Sequence, residues 1–143
     1  MLENNIQAEQ LFFEKSCHTV QEAAEAVGAE SEDLVKNICM IDNEGNLIVA
    51  IVKGEDRVSR SRVGKVLNIE MPRIATEDEI LEKTGYPCGG VPSFGYNATF
   101  IIDSKVFEKE IIYTGGGSEY SLVRISSQEL LKSNNGIVAK IRK

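Results

Sequence analysis

Lys36 is the residue whose type and setting most readily suggest chemistry. It stands in Leu34-Val35-Lys36-Asn37-Ile38, at the junction between a helical turn and an apolar, strand-like run. A lysine at the mouth of a core strand can simply snorkel to solvent. Turned into a cleft, its ammonium can instead bind a phosphate, a carbonyl or a developing oxyanion. Two glycine-rich segments could border such a cleft. Residues 84–95, TGYPCGGVPSFG, place four glycines and two prolines in twelve residues. Free backbone beside fixed φ angles can bring bare N–H groups close to a ligand, yet a structural crossover loop has the same composition. Gly115-Gly116-Gly117-Ser118 follows another strand-like run, where it can serve as a turn or permit close approach. Neither segment is a Walker A loop or a GxGxxG fingerprint.

A third feature is the run from Lys53 to Lys65, with five cations against two carboxylates. Such a run is usually a solvated helix face. Lys53, Arg57, Arg60 and Arg62 are also candidates for contact with RNA phosphates. The formal net charge of the whole chain is -6, so any nucleic-acid partner must be held by a local patch of this kind. Other chemistry is poorly supported. His18 is the single histidine, and the Ser, Cys and acidic residues near it in sequence do not make it an obvious triad member. Cys88 lies in the glycine-rich loop without an adjacent base to lower its pKa. Asp103, at a strand end before a turn, suits a cap better than a general base. No spacing suggests a metal site or a cofactor.

With 143 residues, 42% of them apolar and 27% charged, the chain is expected to form a single domain spanning 1–143. There is no tryptophan, which disfavours an aromatic stacking platform for single strands. Three dispersed cysteines read as reduced thiols of a cytoplasmic protein. The N-terminal residues do not form a signal peptide, and no apolar run is long enough to span a bilayer.

The elements that must position these groups follow from periodicity and caps. A helix is expected at 19–27, a further helical turn or two at 31–35, and a hairpin of strands 37–41 and 47–52 around a turn at 42–45. Ser59 opens a helix to Leu67 whose inner face carries Val63, Val66 and Leu67. Thr76 with Glu79 and Ser126 with Glu129 have capping-box spacing, opening helices that run to about Gly85 and through Leu131. Strands are expected at 99–102, 110–114, 121–125 and 137–141. The order is not a regular βαβα alternation, so an α+β class is expected, with a curved, barrel-like mixed sheet and several short helices.

Taken in order, these segments resemble the YbaK/prolyl-tRNA-synthetase-associated editing domain. The resemblance rests on Thr19 to Ala24 with Gly28, the Lys36 segment, Gly54 to Val58, the TGY and GGVP of the loop, Ile101-Ile102-Asp103 and Gly115 to Gly117, and covers roughly residues 15–132. It implies hydrolysis of the ester of mischarged aminoacyl-tRNA, carrying a small noncognate amino acid on tRNA-Pro or a related tRNA. It further implies that Lys36 is the functional lysine near the ester. Gly89, Gly90, Val91 and Pro92 would hold the aminoacyl group, with Gly115, Gly116 and Gly117 opposite. The implied partner is the acceptor end of aminoacyl-tRNA, with a synthetase as a further one; no membrane or cofactor is implied. Length leaves no room for a synthetase core, so action in trans is expected. Two positions depart from the family pattern: Asn37 stands where Thr or Ser often follows the lysine, and Pro92-Ser93 replaces Ser-Pro or Pro-Pro. The alternative is a non-catalytic module of the same fold that recognises an aminoacyl end or an amino-acid-like ligand. A hydrolase using Cys88 ranks after it.

Overall fold

The hairpin at the centre of the molecule explains most of its architecture. Strands β2 (Val35–Ile41) and β3 (Leu47–Lys53) pair antiparallel around a turn in which the Asp42 carboxylate accepts from the backbone N–H groups of Glu44 and Asn46. Gly45 takes φ +84°, a left-handed conformation that costs glycine little. Every residue of β3 is buried, and its apolar run Leu47–Val52 suits a strand covered on both faces. The computed structural model describes residues 8–12, 33–54, 56–86, 91–93, 96, 98–115 and 121–143. The expected helix at 19–27 lies outside the described residues, as do His18, Cys88, Gly89, Gly90, Gly116 and Gly117.

Eight strands form two sheets among the described residues. The larger has the order β4-β2-β3-β5-β8, adding β4 (Arg73–Ile74), β5 (Thr99–Asp103) and β8 (Ile137–Ala139) to the hairpin. β5 runs parallel to both β3 and β8, so the sheet is mixed. The smaller sheet is antiparallel, with β1 (Ala8–Phe12) and β6 (Ile111–Gly115) flanking β7 (Ser121–Ser126). A parallel bridge between Leu34 and Tyr113 links the two sheets. The class is therefore the mixed α+β expected, but the strands do not close into a barrel. Arg73–Ile74 is too short to continue the β2 edge around, and β8 ends the other side.

Side-chain alternation assigns the two faces of the hairpin. Val35, Cys39, Ile41, Leu47, Val49 and Ile51 pack with Ile112, Val123, Ile125 and Leu130. Met40, Ile48, Ala50 and Val52 pack instead with Val63, Ile101 and Ile141. Odd-numbered hairpin residues thus face the smaller sheet, and even-numbered ones face the first helix.

That helix, α1 (Arg60–Leu67), starts where Ser59 Oγ accepts from the Arg62 N–H. Its inner face is Val63 and Gly64; Val66, expected inside, is 40% exposed. A Cβ at Gly64 would lie 3.1 Å from the Ile69 carbonyl oxygen, so the following turn folds back tightly only over glycine. Helix α2 (Glu77–Thr84) has the full capping box of Thr76 and Glu79 and ends at Gly85, φ +80°. Arg73 grips the Glu79 carboxylate with both guanidinium nitrogens, at 2.7 and 2.6 Å, and holds its pKa down to about 2. Helix α3 (Ser127–Asn134) is capped by Ser126 and runs three residues beyond Leu131. Of the helical turns expected at 31–35, the described part keeps a 3-10 residue at Asp33, and Leu34 already forms a bridge. Val35 already belongs to β2 and pairs with Lys53.

Candidate functional site

Lys36 belongs to β2 and shares its even-numbered face with Ile38, opening into a cavity of ≈ 390 Å³. Arg57, Val58, Arg60, Ile74 and Lys143 complete the wall. Four cations therefore meet there, and none of the described lining residues is acidic. That volume suits a small-molecule moiety or one nucleotide end. Burial, and then the neighbouring Arg57 guanidinium, lower the Lys36 pKa below its ordinary value, with Asp56 pulling the other way. Asp56 itself bonds Lys105 Nζ at 3.2 Å through one oxygen; the other is buried without a hydrogen-bond partner.

Local sequence builds this wall. Arg57 and Val58 follow the end of β3, and Val58 bridges Arg142, which brings Lys143 alongside. The Lys143 N–H donates to the Arg57 carbonyl at 2.8 Å. Behind them, Asp103 is wholly buried and accepts from the N–H groups of Ile141 and Arg142 and from the Arg142 guanidinium. It also caps the 3-10 helix Ser104–Glu108 through the Lys105 N–H. Asp103 is a cap, as its place in the sequence indicates, and in addition a clamp on the residues leading to Lys143.

The basic run divides. Arg57 and Arg60 line the cavity, and Arg62 is exposed on α1. Lys53 is different: it pairs across the hairpin with Val35, is 3% exposed, and lies 3.6 Å from Glu108. Its position on the odd-numbered face takes it away from the Lys36 cavity.

The glycine segments are expected to converge with Lys36. None of their described residues, 84–86, 91–93 and Gly115, lines the Lys36 cavity. Val91 and Ser93 are engaged instead by Asn37, on the opposite face of β2. Asn37 Nδ2 donates to the Val91 carbonyl at 2.8 Å and to Thr114 Oγ1 at 3.1 Å, while Ser93 Oγ donates to Asn37 Oδ1 at 2.7 Å. Ser93 Oγ and Thr114 Oγ1 are 2.6 Å apart. Pro92 is buried, and its carbonyl accepts from Tyr96 Oη at 2.7 Å. Burial raises the Tyr96 pKa, so its phenol remains a donor. Sequence reasoning did not single out Thr114 and treated Asn37 and Ser93 only as departures from a pattern. Polar residues inside otherwise apolar strands were the available signal.

A model of the aminoacyl-tRNA editing domain matches residues 14–133. The chain belongs to that family. It is thus an aminoacyl-tRNA editing domain, related in sequence to prolyl-tRNA synthetases. A proline–tRNA ligase of Trichlorobacter lovleyi is 31% identical over 80 residues, covering 56% of this chain and 14% of the ligase. The uncharacterized protein YwhH of Bacillus subtilis is 24% identical, covering 82% of this chain and 76% of its own. Among solved structures, the hypothetical protein APE2540 superposes with a TM-score of 0.92 at 28% identity, over 99% of this chain and 95% of that one. A candidate trans-editing enzyme for prolyl tRNA synthetase gives 0.87 at 28% identity, over 95% and 87%. For an editing domain the donor set is notable for what it offers: cations and amides. Among the described residues no group of three His, Cys, Asp or Glu could hold a metal ion. No helix among them is long and apolar enough to cross a membrane.

Proposed function

We propose that this editing domain acts in trans to hydrolyse the ester joining a small noncognate amino acid to tRNA, with tRNA-Pro or a related tRNA as carrier. The observation that carries the reading is the Lys36 cavity, an open space where Arg57, Arg60 and Lys143 converge with the lysine that the resemblance singles out. An acidic protein that grips only one end of an RNA needs its positive charge concentrated, and here it is.

The chemistry asks little of the protein because the ester is already activated. Water attacks the acyl carbonyl carbon and the carbonyl oxygen takes up negative charge. Collapse then breaks the bond to the terminal ribose oxygen, which leaves with a proton as free tRNA. An ammonium beside the developing oxyanion favours that intermediate over the neutral ester, and mutational loss of such a donor costs about 10²–10³ in rate. Lys36 is assigned that role, and Arg57 and Arg60 the flanking phosphates. The aminoacyl group is assigned, as the resemblance implies, to Gly89, Gly90, Val91 and Pro92 with Gly115, Gly116 and Gly117 opposite, segments whose described residues lie outside the Lys36 cavity. A pocket small enough to exclude the bulkier correct amino acid would supply selectivity. A cytoplasmic location follows from that substrate.

The test is release of free amino acid from a panel of mischarged tRNAs. Small-acyl esters should be cleaved at least about 100-fold faster than they decay alone. A panel left at its spontaneous rate overturns the reading. Tight binding of an unreactive aminoacyl-tRNA analogue in that case would make the domain a recognition module.

A further inference from the structure

Protons decide the direction of every bond in the Asn37 cluster. Asn37 Oδ1 can only accept, so the single Ser93 hydroxyl proton points to it. The 2.6 Å contact between Ser93 Oγ and Thr114 Oγ1 must then be donated by Thr114. Thr114 Oγ1 in turn accepts from Asn37 Nδ2. The three side chains form a closed ring in which each donates to the next. The second Asn37 amide proton goes to the Val91 carbonyl. Turning the amide over would set Oδ1 against that carbonyl, so only one orientation satisfies the cluster.

This ring joins three elements at one point: β2 beside Lys36, the glycine-rich loop at 91–93, and β6 one residue before Gly115. The loop is held further. Its three successive carbonyls, of Val91, Pro92 and Ser93, accept from Asn37, Tyr96 and Asn134 respectively. Ser93 and Thr114 are 0% and 1% exposed, so an opened ring would leave desolvated hydroxyls without partners. Apolar residues would fill this space at less risk, but they would let the segments slide. A directional ring fixes both distance and orientation. The two departures from the family pattern also complement each other. A proline at 93 has no hydroxyl to give, and a threonine at 37 cannot reach the Val91 carbonyl, Thr114 and a third partner together.

We infer that Asn37 is a positioning residue that holds residues 91–93 against β6 at Thr114, and thereby sets which acyl groups the domain accepts. This rests on the deacylase reading. The experiment measures kcat/KM for alanyl and valyl esters of one tRNA in Asn37→Thr, Ser93→Ala and Thr114→Val, with Thr114→Ser as the variant that keeps the hydroxyl. The preference for the smaller ester should fall about tenfold in each of the first three, within the range that pocket contacts supply. It should fall no further in Asn37→Thr/Ser93→Ala, because the ring opens only once. Thr114→Ser should retain the preference. NMR of the Asn37 side-chain amide reports the ring directly, with slow proton exchange in the unmutated protein and fast exchange in the broken variants. Ser93→Ala, the mildest truncation, keeps the test in hand if a larger change unfolds the chain. Fast amide exchange with an unchanged preference overturns the inference, as does an equal loss of turnover on both esters. Turnover by the unmutated protein with such a result leaves the deacylase reading standing. Absence of turnover in the unmutated protein removes both.

Discussion

The two faces of β2 do opposite things with consecutive residues. Lys36 opens into a cavity ringed by Arg57, Arg60 and Lys143, where charge is concentrated. Asn37, on the other face, enters a closed neutral ring in which every polar atom has a partner. One face is built to meet something from outside; the other is built to hold the inside still. The pleat of a strand makes the pairing possible, since neighbouring side chains share a backbone position yet look in opposite directions. A recognition surface can therefore be tuned by charge without loosening the scaffold directly behind it.

Four changes would break or sharpen this contrast. Lys36→Ala should reduce ester turnover by at least about 100-fold with an unaltered circular dichroism spectrum; retained turnover would take the cavity out of the chemistry. Asp103→Ala should be the most destabilising change on the cationic side. It strips partners from two backbone N–H groups and the Arg142 guanidinium, and should cost about 3 kcal/mol, lowering Tm by roughly 10 °C in a thermal melt. An unchanged melt would mean that Lys143 is held by other contacts.

Arg57→Gln should have a subtler, double signature. The log–log salt dependence of tRNA affinity should flatten by about one contact's worth. Lys36 must be protonated to stabilise an oxyanion, so activity is present below its pKa and lost as pH rises through it. Burial and Arg57 both lower that pKa, placing the alkaline limb below the usual lysine value of 10.5. Removing Arg57 should move the limb to higher pH. A limb that stays put would separate the two cations. The smallest effect is expected from Lys53→Met, which should leave tRNA affinity within about twofold because its side chain is buried away from the Lys36 cavity. A larger loss would erase the distinction between the faces.

Much of the frame was legible because its signals are local. The hairpin follows from Asp42 to Gly45 between two apolar runs, and the ends of α2 follow from Thr76, Glu79 and Gly85. What escaped depends on distant partners. Ala8–Phe12 lacks strand alternation and takes its conformation from pairing with β7. Arg73–Ile74 is a strand only because Met40 and Ile41 present an open edge to it. Val66 follows the helical period but faces water, because the tight turn after α1 brings the chain against Gly64 instead. At the site, charge and composition located Lys36, Arg57 and Arg60 but could not show that Lys53 alternates inward. They also missed the Asn37 ring, whose members lie 56 and 77 residues away from it in sequence.

The path that brings Lys143 to the cavity also orders events during synthesis. β8 pairs parallel with β5, and residues 141 and 142 lock onto Asp103. A nascent chain that has already made Lys36, Arg57 and Arg60 still lacks the fourth cation until residue 143 has cleared the ribosome and that distant pairing has formed, a step of high contact order. Before that, the chain would carry only three of the four cations that line the cavity. The cavity holds its full positive charge only once translation has passed that point.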